Sequence, residues 1–180
     1  MTMRLWVLAG ALLVAGGEAG AQGLESYRFK WIGANGYRLA GGMAFDPAAA
    51  GDDGLIREDA VECFFIEGYR HDRPLGRWGL AALREETTFY LEFDPRTRRF
   101  SLPSEEAPVT QGWNMDGVGD NCGAGGFGFN VGNYAQDICL DNRLIADSQI
   151  DPWTELRAVP DPGLAMPDDA CRGPVLMMKR

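Results

Sequence analysis

The sequence predicts an all-β protein, built as a single antiparallel sandwich or open barrel. Three observations support this fold class. Short apolar or alternating segments recur along the chain, residues typical of turns separate them, and helical periodicity is nearly absent. Roughly ten segments of strand length follow one another, which is the pattern of sandwiches and open barrels. The absence of a fixed-period repeat argues against a solenoid.

The first two predicted strand pairs are hairpins. Residues 27–32 and 37–45 are separated by Asn35-Gly36, a dipeptide typical of tight turns. A mostly apolar segment over 60–69 is expected to pair with residues 76–83 across a charged loop. A loop rich in Ala, Gly and Asp separates the two hairpins.

The later strands follow from the same reasoning. Phe89, Leu91 and Phe93 alternate with other residues and are expected to share one face of a strand. Turn residues such as Asp141-Asn142 separate the segments that follow. The remaining predicted strands are residues 87–93, 99–102, 111–115, 127–131, 135–140, 144–146 and 153–159.

The N-terminal residues have the pattern of a secretory signal peptide. Arg4 supplies a short positive region, residues 5–17 are uncharged and mostly apolar, and Ala19-Gly20-Ala21 fits a cleavage site. We therefore expect a signal peptide over 1–21 and a secreted or periplasmic mature chain. The apolar run is too short and too rich in Gly for a stable membrane anchor.

The rest of the chain divides into two parts. Residues 22–159 are expected to form one β domain with a real core. From residue 160 onward prolines punctuate the sequence, so 160–180 is expected to be an irregular tail tethered by a disulfide. The net charge of −9 is unchanged by removal of the leader, and no basic stripe is visible along the sequence. This balance argues against a nucleic-acid partner.

Four cysteines predict two disulfides in an oxidising compartment, with three possible pairings. We favour Cys122–Cys139, because a Gly-rich segment between them is able to fold the chain back as a hairpin. Cys63–Cys171 then follows by elimination. A zinc site is a poor alternative, because no C-x-x-C pair exists and His71 is the only histidine.

The segment 114–122, N-M-D-G-V-G-D-N-C, is the strongest candidate for a metal site. Asp116 and Asp120 supply carboxylate oxygens, and the glycines between them permit a tight bend around a calcium ion. The string D-G-V-G-D-N-C resembles the calcium-binding thrombospondin type 3 repeat. That resemblance implies that Asp116 and Asp120 are ligands and Cys122 is the disulfide cysteine.

No catalytic motif stands out. His71 lies among Arg70, Asp72 and Arg73, which predicts a solvated turn, and no G-x-S-x-G elbow is present. The adjacent carboxylates of Glu85-Glu86, Glu105-Glu106 and Asp168-Asp169 point to opposite faces of any strand. Trp113 and Asn114, beside Asp116, are the residues for which we expect a ligand contact.

Several segments resemble a β-rich module of unknown activity found in bacterial exported proteins of the PEP-CTERM class. The matching stretches are 36–46, 60–78, 89–100 and 113–129, and V-P-D-P at 159–162 is similar to the V-P-E-P motif of that class. The apolar helix that follows the motif in the class is missing here. The resemblance implies an exported, β-rich protein and carries no catalytic residues.

These observations predict an exported β module without a catalytic site, with a binding or structural role and no required cofactor. Two alternatives remain. One is a calcium-stabilised extracellular module that uses Asp116 and Asp120. The other is a hydrolase of an extracellular polymer, which requires two carboxylates converging in a cleft beside an exposed aromatic ring.

Overall fold

The N-terminal hairpin forms as predicted. In the computed structural model, which describes residues 23–115 and 122–172, β1 (Glu25–Ile32) and β2 (Tyr37–Phe45) pair antiparallel along their whole length. Asn35 and Gly36 in the connection have φ values of 49° and 76°. Asn and Gly adopt this left-handed region at the least steric cost.

The other strands are short and are joined by turns and 3₁₀ helices. They are β3 (Ile56–Arg57), β4 (Val61–Arg70), β5 (Arg73–Gly79), β6 (Thr88–Tyr90), β7 (Glu92–Asp94), β8 (Arg99–Phe100), β9 (Val109–Met115), β10 (Phe127–Gly132), β11 (Gln136–Leu140), β12 (Arg143–Leu144) and β13 (Ala158–Pro160). The 3₁₀ helices are Ala34–Gly36, Pro47–Ala49, Glu58–Ala60, Leu80–Ala82 and Ala146–Ser148. None of the helices within the described ranges has the length and apolar character of a membrane-spanning segment.

The described strands form three antiparallel sheets. The first sheet has the order β13-β1-β2-β4-β5, the second β12-β11-β10-β9-β6, and the small third sheet β3-β7-β8. Aromatic contacts join the faces of the first and second sheets, neither of which closes into a barrel among the described strands, and Phe93 and Phe100 of the third sheet pack against rings of the first. The predicted all-β fold class is confirmed, and its form is a sandwich.

Aromatic side chains fill the space between the sheets. The fully buried ring of Trp113 lies at the centre, with ring centroids 5.2 Å from Phe29, 4.9 Å from Phe64 and 4.9 Å from Phe129. β1 and β4 of the first sheet therefore contact β9 and β10 of the second through one aromatic cluster. Edge-on and tilted ring pairs of this kind add to the stabilisation from burial alone.

Two glycines allow the sheets to approach closely beside β5. The ring of Phe127 lies against Gly68 and Gly76, where an added Cβ would meet ring atoms at 2.1 Å and 2.9 Å. Any larger residue at Gly68 would displace Phe127, because a carbon contact of 2.1 Å is far inside van der Waals distance. This contact fixes the first residue of β10 against the edge of the first sheet.

Both disulfides are present, in the pairs favoured from the sequence. Cys63 on β4 is bonded to Cys171 in the tail, and Cys122 to Cys139 on β11. The hairpin inside the second pair differs from the expected one. The chain reverses at residues 133–135, between β10 and β11, whereas the Gly-rich stretch 123–126 precedes β10.

The tail is irregular but docked at several points, and not at Cys171 alone. Phe64 N–H donates to Ala170 O, Ala81 N–H donates to Asp169 O, and the side chain of Arg172 donates to two carbonyls near the start of β4. β13 ends at Pro160, one residue beyond the domain boundary expected at residue 159, and pairs with β1. Backbone hydrogen bonds to existing strands order this Pro-rich segment without a sheet of its own.

Several predicted strands were wrong in extent. The strand predicted over 76–83 runs over Arg73–Gly79 and is followed by a 3₁₀ helix. Of residues 153–159, the first two lie in a turn, because the Asp151 carboxylate accepts from Trp153 N–H and Thr154 N–H donates to Asp151 O, and only the last two belong to β13. Residues 87–93 form two strands instead of one. The chain leaves the second sheet after Tyr90 and enters the third at Glu92, with Leu91 fully buried between them.

Candidate functional site

A cavity of about 430 Å³ opens where the edge of the first sheet meets the end of the second. We call it the Asn114 cavity. Its walls come from β5, from the loop that precedes β6, from Asn114 on β9, and from the loop 122–126 with Phe127. Because Phe127 is held against Gly68 and Gly76, the inner wall is well packed and the outer wall is formed by loops.

Asn114 holds two parts of the cavity together. Its φ of 57° is left-handed, so the chain departs from regular strand geometry at this point. The side-chain Nδ2 donates to Phe127 O at 2.8 Å and lies 3.5 Å from Cys122 O. Asn tolerates left-handed backbone better than most residues, and its amide ties β9 to the loop opposite.

The loop 122–126 is fixed from its other side by the turn between β11 and β12. Gly123 N–H donates to the Asn142 side chain at 3.0 Å, and Gly125 N–H donates to the Asp141 carboxylate at 2.8 Å. Asp141 and Asn142 both have positive φ, as predicted for a tight turn. The Cys122–Cys139 bond adds a covalent link, so this wall is preformed.

Two buried polar atoms of lining residues have no hydrogen-bond partner among the described residues. They are Nε1 of Trp78 and Oγ1 of Thr87, on side chains that are 5% and 8% exposed. A buried donor without a partner costs about 1–3 kcal/mol. Native structures retain such groups rarely, and each one calls for a partner of some kind.

The mouth of the cavity carries charge. Arg77, Arg84 and Glu86 line it and are exposed. The Arg77 guanidinium lies 2.6 Å from the Asp169 carboxylate of the tail, in an exposed ion pair. Arg84 and Glu86 form no ion pair with any described residue. Among the described lining side chains, hydrogen-bond donors are more numerous than carboxylates.

Of the two expected ligand contacts, Asn114 lines the cavity and Trp113 does not. Trp113 is fully buried at the centre of the aromatic core. A ring in this position offers no face to a ligand, which corrects the expectation for Trp113. Trp113 packs against the first sheet, whereas the left-handed backbone at Asn114 directs that side chain to Phe127 O at the end of the loop 122–126.

The candidate calcium ligands Asp116 and Asp120 lie outside the described residues. Among the residues that the structure describes, no three His, Cys, Asp or Glu side chains gather in a metal-binding arrangement. His71 is exposed in the turn between β4 and β5, with a φ of 53°. Glu85, Glu105 and Asp168 are also exposed.

A second buried polar cluster lies on β10 and β11. Asp137 and Asn130 face each other across the strand pair, and both are more than nine-tenths buried. Gln149 Nε2 donates to Asp137 Oδ2 at 3.0 Å, while Oδ1 of Asp137 and Oδ1 of Asn130 have no partner among the described residues. Desolvation raises the pKa of the Asp137 carboxyl above its ordinary value, and the interactions with the Gln149 and Asn130 side chains offset only part of this effect.

Sequence reasoning missed most of these residues for a simple reason. Trp78, Thr87 and Asn114 come from separate stretches of chain, and only the packing of the two sheets brings them together. Asp137 did carry a signal, because it is a single acidic residue inside a strand of otherwise uncharged residues. Such a residue is buried only with polar neighbours.

The fold and the site thus define an all-β sandwich with a preformed, donor-rich cavity at one end. A scan against protein-family models, a search of curated proteins and a search of solved structures each find no match for this chain. Its function is therefore inferred from its own residues. The two disulfides indicate folding in an oxidising environment, extracellular or periplasmic.

Proposed function

We propose that this chain is an exported, non-catalytic β module that binds a small hydroxylated acid, such as a uronic acid, in the Asn114 cavity. The observation that carries the proposal is the pair of exposed arginines, Arg77 and Arg84, at the mouth of a cavity whose lining also holds two unpartnered polar groups, Trp78 Nε1 and Thr87 Oγ1. Both groups are closed off from solvent, so a ligand oxygen accepts from them only after a small movement of the lining, and such a bond recovers free energy lost by their burial. Buried donors of this kind favour ligands that are rich in acceptor oxygens.

The charges at the mouth select among such ligands. Arg77 and Arg84 present planar guanidinium groups, which match a carboxylate in shape and charge. Glu86 accepts from hydroxyl groups. A sugar acid offers both kinds of partner on one small ring. The volume of about 430 Å³ lies in the range of small-molecule sites.

The same lining favours binding over hydrolysis. Glu86 is the only carboxylate among its described residues. The glycosidase mechanism requires two carboxyl groups that face the same scissile bond. The nearby carboxylate of Asp169 already forms an ion pair with Arg77, so it does not act as the second carboxyl group.

Export rests on the N-terminal sequence pattern, the disulfides and the resemblance to exported modules of the PEP-CTERM class. Peptide mapping of secreted material under non-reducing conditions tests it directly. We expect a mature N-terminus at Gln22 and both disulfides intact. An N-terminus that retains Met1 would contradict export.

Binding is tested by titrating galacturonate, glucuronate and citrate into the purified protein and recording the heat released and the thermal midpoint. We expect a uronate to bind and to raise the midpoint, since a ligand that binds only the native state stabilises it. Thr87→Val removes one donor and keeps the shape of the side chain. It is expected to weaken binding about tenfold, while the unliganded protein becomes up to about 1 kcal/mol more stable.

Trp78→Phe and Trp113→Phe form a matched pair of variants. Each removes a buried indole N–H without a partner among the described residues, but only Trp78 lines the cavity. Both changes are expected to lower stability through lost packing, and only Trp78→Phe is expected to weaken binding. Equal losses of affinity, or no binding of any of the three acids to the wild type, would refute the proposal.

A further inference from the structure

A separate groove of about 380 Å³ runs over the outer face of the first sheet. We call it the basic groove. Arg28 and Lys30 on β1 and Arg157 just before β13 provide its charged rim. Ala40, Phe65 and other apolar groups from β2, β4 and the tail form its floor and walls. None of its residues lines the Asn114 cavity.

The alternation of β1 creates this rim. Tyr27, Phe29 and Trp31 point into the core and are buried, so the residues between them point outward. Arg28 and Lys30 are therefore neighbours on the outer face, about 7 Å apart along the strand. Because β13 pairs with β1, Arg157 is carried to the same side.

The charge of the groove is opposite to that of the protein. The chain has a net charge of −9, yet three cations and no carboxylate occur among the described residues that line the groove. Arg28 and Arg157 have exposed carboxylate neighbours outside the lining, Asp161 at 3.5 Å and Glu155. Lys30 forms no ion pair with any described residue.

The groove also has apolar lining residues, and Val159 beside Arg28 is half exposed. Gly42 has no side chain, and Leu164 of the tail and the ring of Phe65 close over it. Phe65 and Ala40 are partly exposed, so an apolar surface remains accessible between the charged rim and the tail. A flat ring is able to contact this surface while its anionic substituents reach the rim.

We propose that the basic groove binds an acidic polysaccharide of the polyuronate type. A pyranose ring presents a C–H face that packs against the floor, and each uronate carboxylate pairs with an arginine or lysine of the rim. A lipid bilayer fits less well, because Val159 is the only exposed apolar side chain among the described lining residues, whereas membrane insertion buries a broad apolar face. This site is independent of the ligand proposed for the Asn114 cavity.

The test is surface plasmon resonance of the full mature protein on immobilised polygalacturonate, with neutral dextran as reference. We expect binding at low ionic strength that weakens as salt is raised, since exposed charges are screened. Lys30→Gln combined with Arg157→Gln is expected to reduce affinity about tenfold, as expected for two exposed charge pairs. Arg143→Gln, an exposed cation on β12 of the second sheet, is the matched control and is expected to bind as the wild type does.

Further measurements separate this proposal from its rivals. Thr87→Val is expected to bind polygalacturonate as the wild type does, because Thr87 lines the Asn114 cavity and not the basic groove. The groove proposal is therefore tested independently of the cavity proposal. Polyglutamate, single-stranded DNA and phosphatidylglycerol vesicles serve as competing polyanions. Equal or stronger binding of any of them, an equal loss in Arg143→Gln, or no binding of polygalacturonate at low salt would overturn the proposal. Thermal melts of each variant exclude unfolding as the cause of lost affinity.

Discussion

Cys63–Cys171 closes a sequence separation of 108 residues, whereas Cys122–Cys139 closes one of 17. The first bond joins a central strand to a tail that is also held by backbone hydrogen bonds. The second joins β11 to the Gly-rich loop that forms one wall of the Asn114 cavity. The difference shows that one disulfide mainly stabilises the whole fold, while the other mainly shapes a site.

Removing the long-range bond is expected to have the largest effect. In the chain-entropy model, a closed loop of about 100 residues contributes about 4.7 kcal/mol. Cys63→Ala with Cys171→Ala is therefore expected to lower the free energy of unfolding by about 4 kcal/mol, measured by urea denaturation. Uronate binding in the cavity should persist below the new transition. Loss of binding in a variant that is still folded would show that the tail supports the site directly.

Removing the short-range bond is expected to lower the free energy of unfolding less, and the affinity for uronate more, than removing the long-range bond. A loop of about 15 residues corresponds to about 3 kcal/mol in the same model. Cys122→Ala with Cys139→Ala should therefore unfold at a higher urea concentration than the first double variant, yet bind uronate more weakly. The reverse order of stabilities would contradict the comparison.

The next prediction concerns the pH dependence of stability that arises from Asp137 on β11, and it leaves both disulfides intact. Its pKa is raised in the folded state, so folding takes up a proton between the ordinary pKa of 3.8 and the raised value. The stabilisation from this group is complete below pH 3.8 and is lost as the pH rises through the raised pKa. Asp137→Asn is expected to remove this pH dependence. It should stabilise the protein by about 1 kcal/mol at pH 7, because it replaces a buried carboxylate, whose charged form is disfavoured by desolvation, with a neutral amide.

Thermal melts from pH 4 to pH 8 on Asp137→Asn and on Asp147→Asn check this prediction. Asp147 is an exposed aspartate on the neighbouring 3₁₀ helix, and its substitution serves as the control. A profile of Asp137→Asn that is parallel to that of the wild type would show that Asp137 titrates normally.

Asp169→Asn is expected to have the smallest effect on stability. It changes the contact between the tail held by Cys63–Cys171 and the mouth of the Asn114 cavity. It breaks the exposed ion pair with Arg77, which is worth about 0.5 kcal/mol. Arg77 is then free to pair with a bound carboxylate, so affinity for galacturonate should rise severalfold while urea stability changes little. Calorimetry and denaturation on one preparation measure both quantities. A fall in affinity would indicate that Asp169 holds Arg77 in its binding position.

Much of the sandwich was predictable, because alternation and turn residues are local signals. Tyr27, Phe29 and Trp31 alternate so regularly that their burial follows from the sequence. The same alternation places Arg28 and Lys30 together on the outer face, a consequence that the overall acidic charge concealed. The switch between sheets at Leu91 was not predictable, because the alternation over residues 87–93 is that of one continuous strand.

The candidate site was predictable only at Asn114. Trp113 was misassigned because its polar neighbours suggested an exposed ring, whereas the pleat places adjacent residues on opposite faces. Trp78 and Thr87 gave no signal at all. Their importance comes from a missing hydrogen bond in the folded state, and an unsatisfied donor is a property of packing that no sequence pattern encodes.

The two disulfides are nested, with Cys122–Cys139 enclosed within Cys63–Cys171. Synthesis proceeds from the N-terminus, so Cys63 emerges long before its partner and meets Cys122 first. Pairing cysteines in their order of emergence gives Cys63–Cys122 and Cys139–Cys171, neither of which is native. The pairing of β1 with β13 also forms only after the last part of the chain has been synthesised. Correct oxidation therefore depends on late ring closure or on thiol–disulfide exchange, and a compartment that oxidises without isomerising would accumulate scrambled protein.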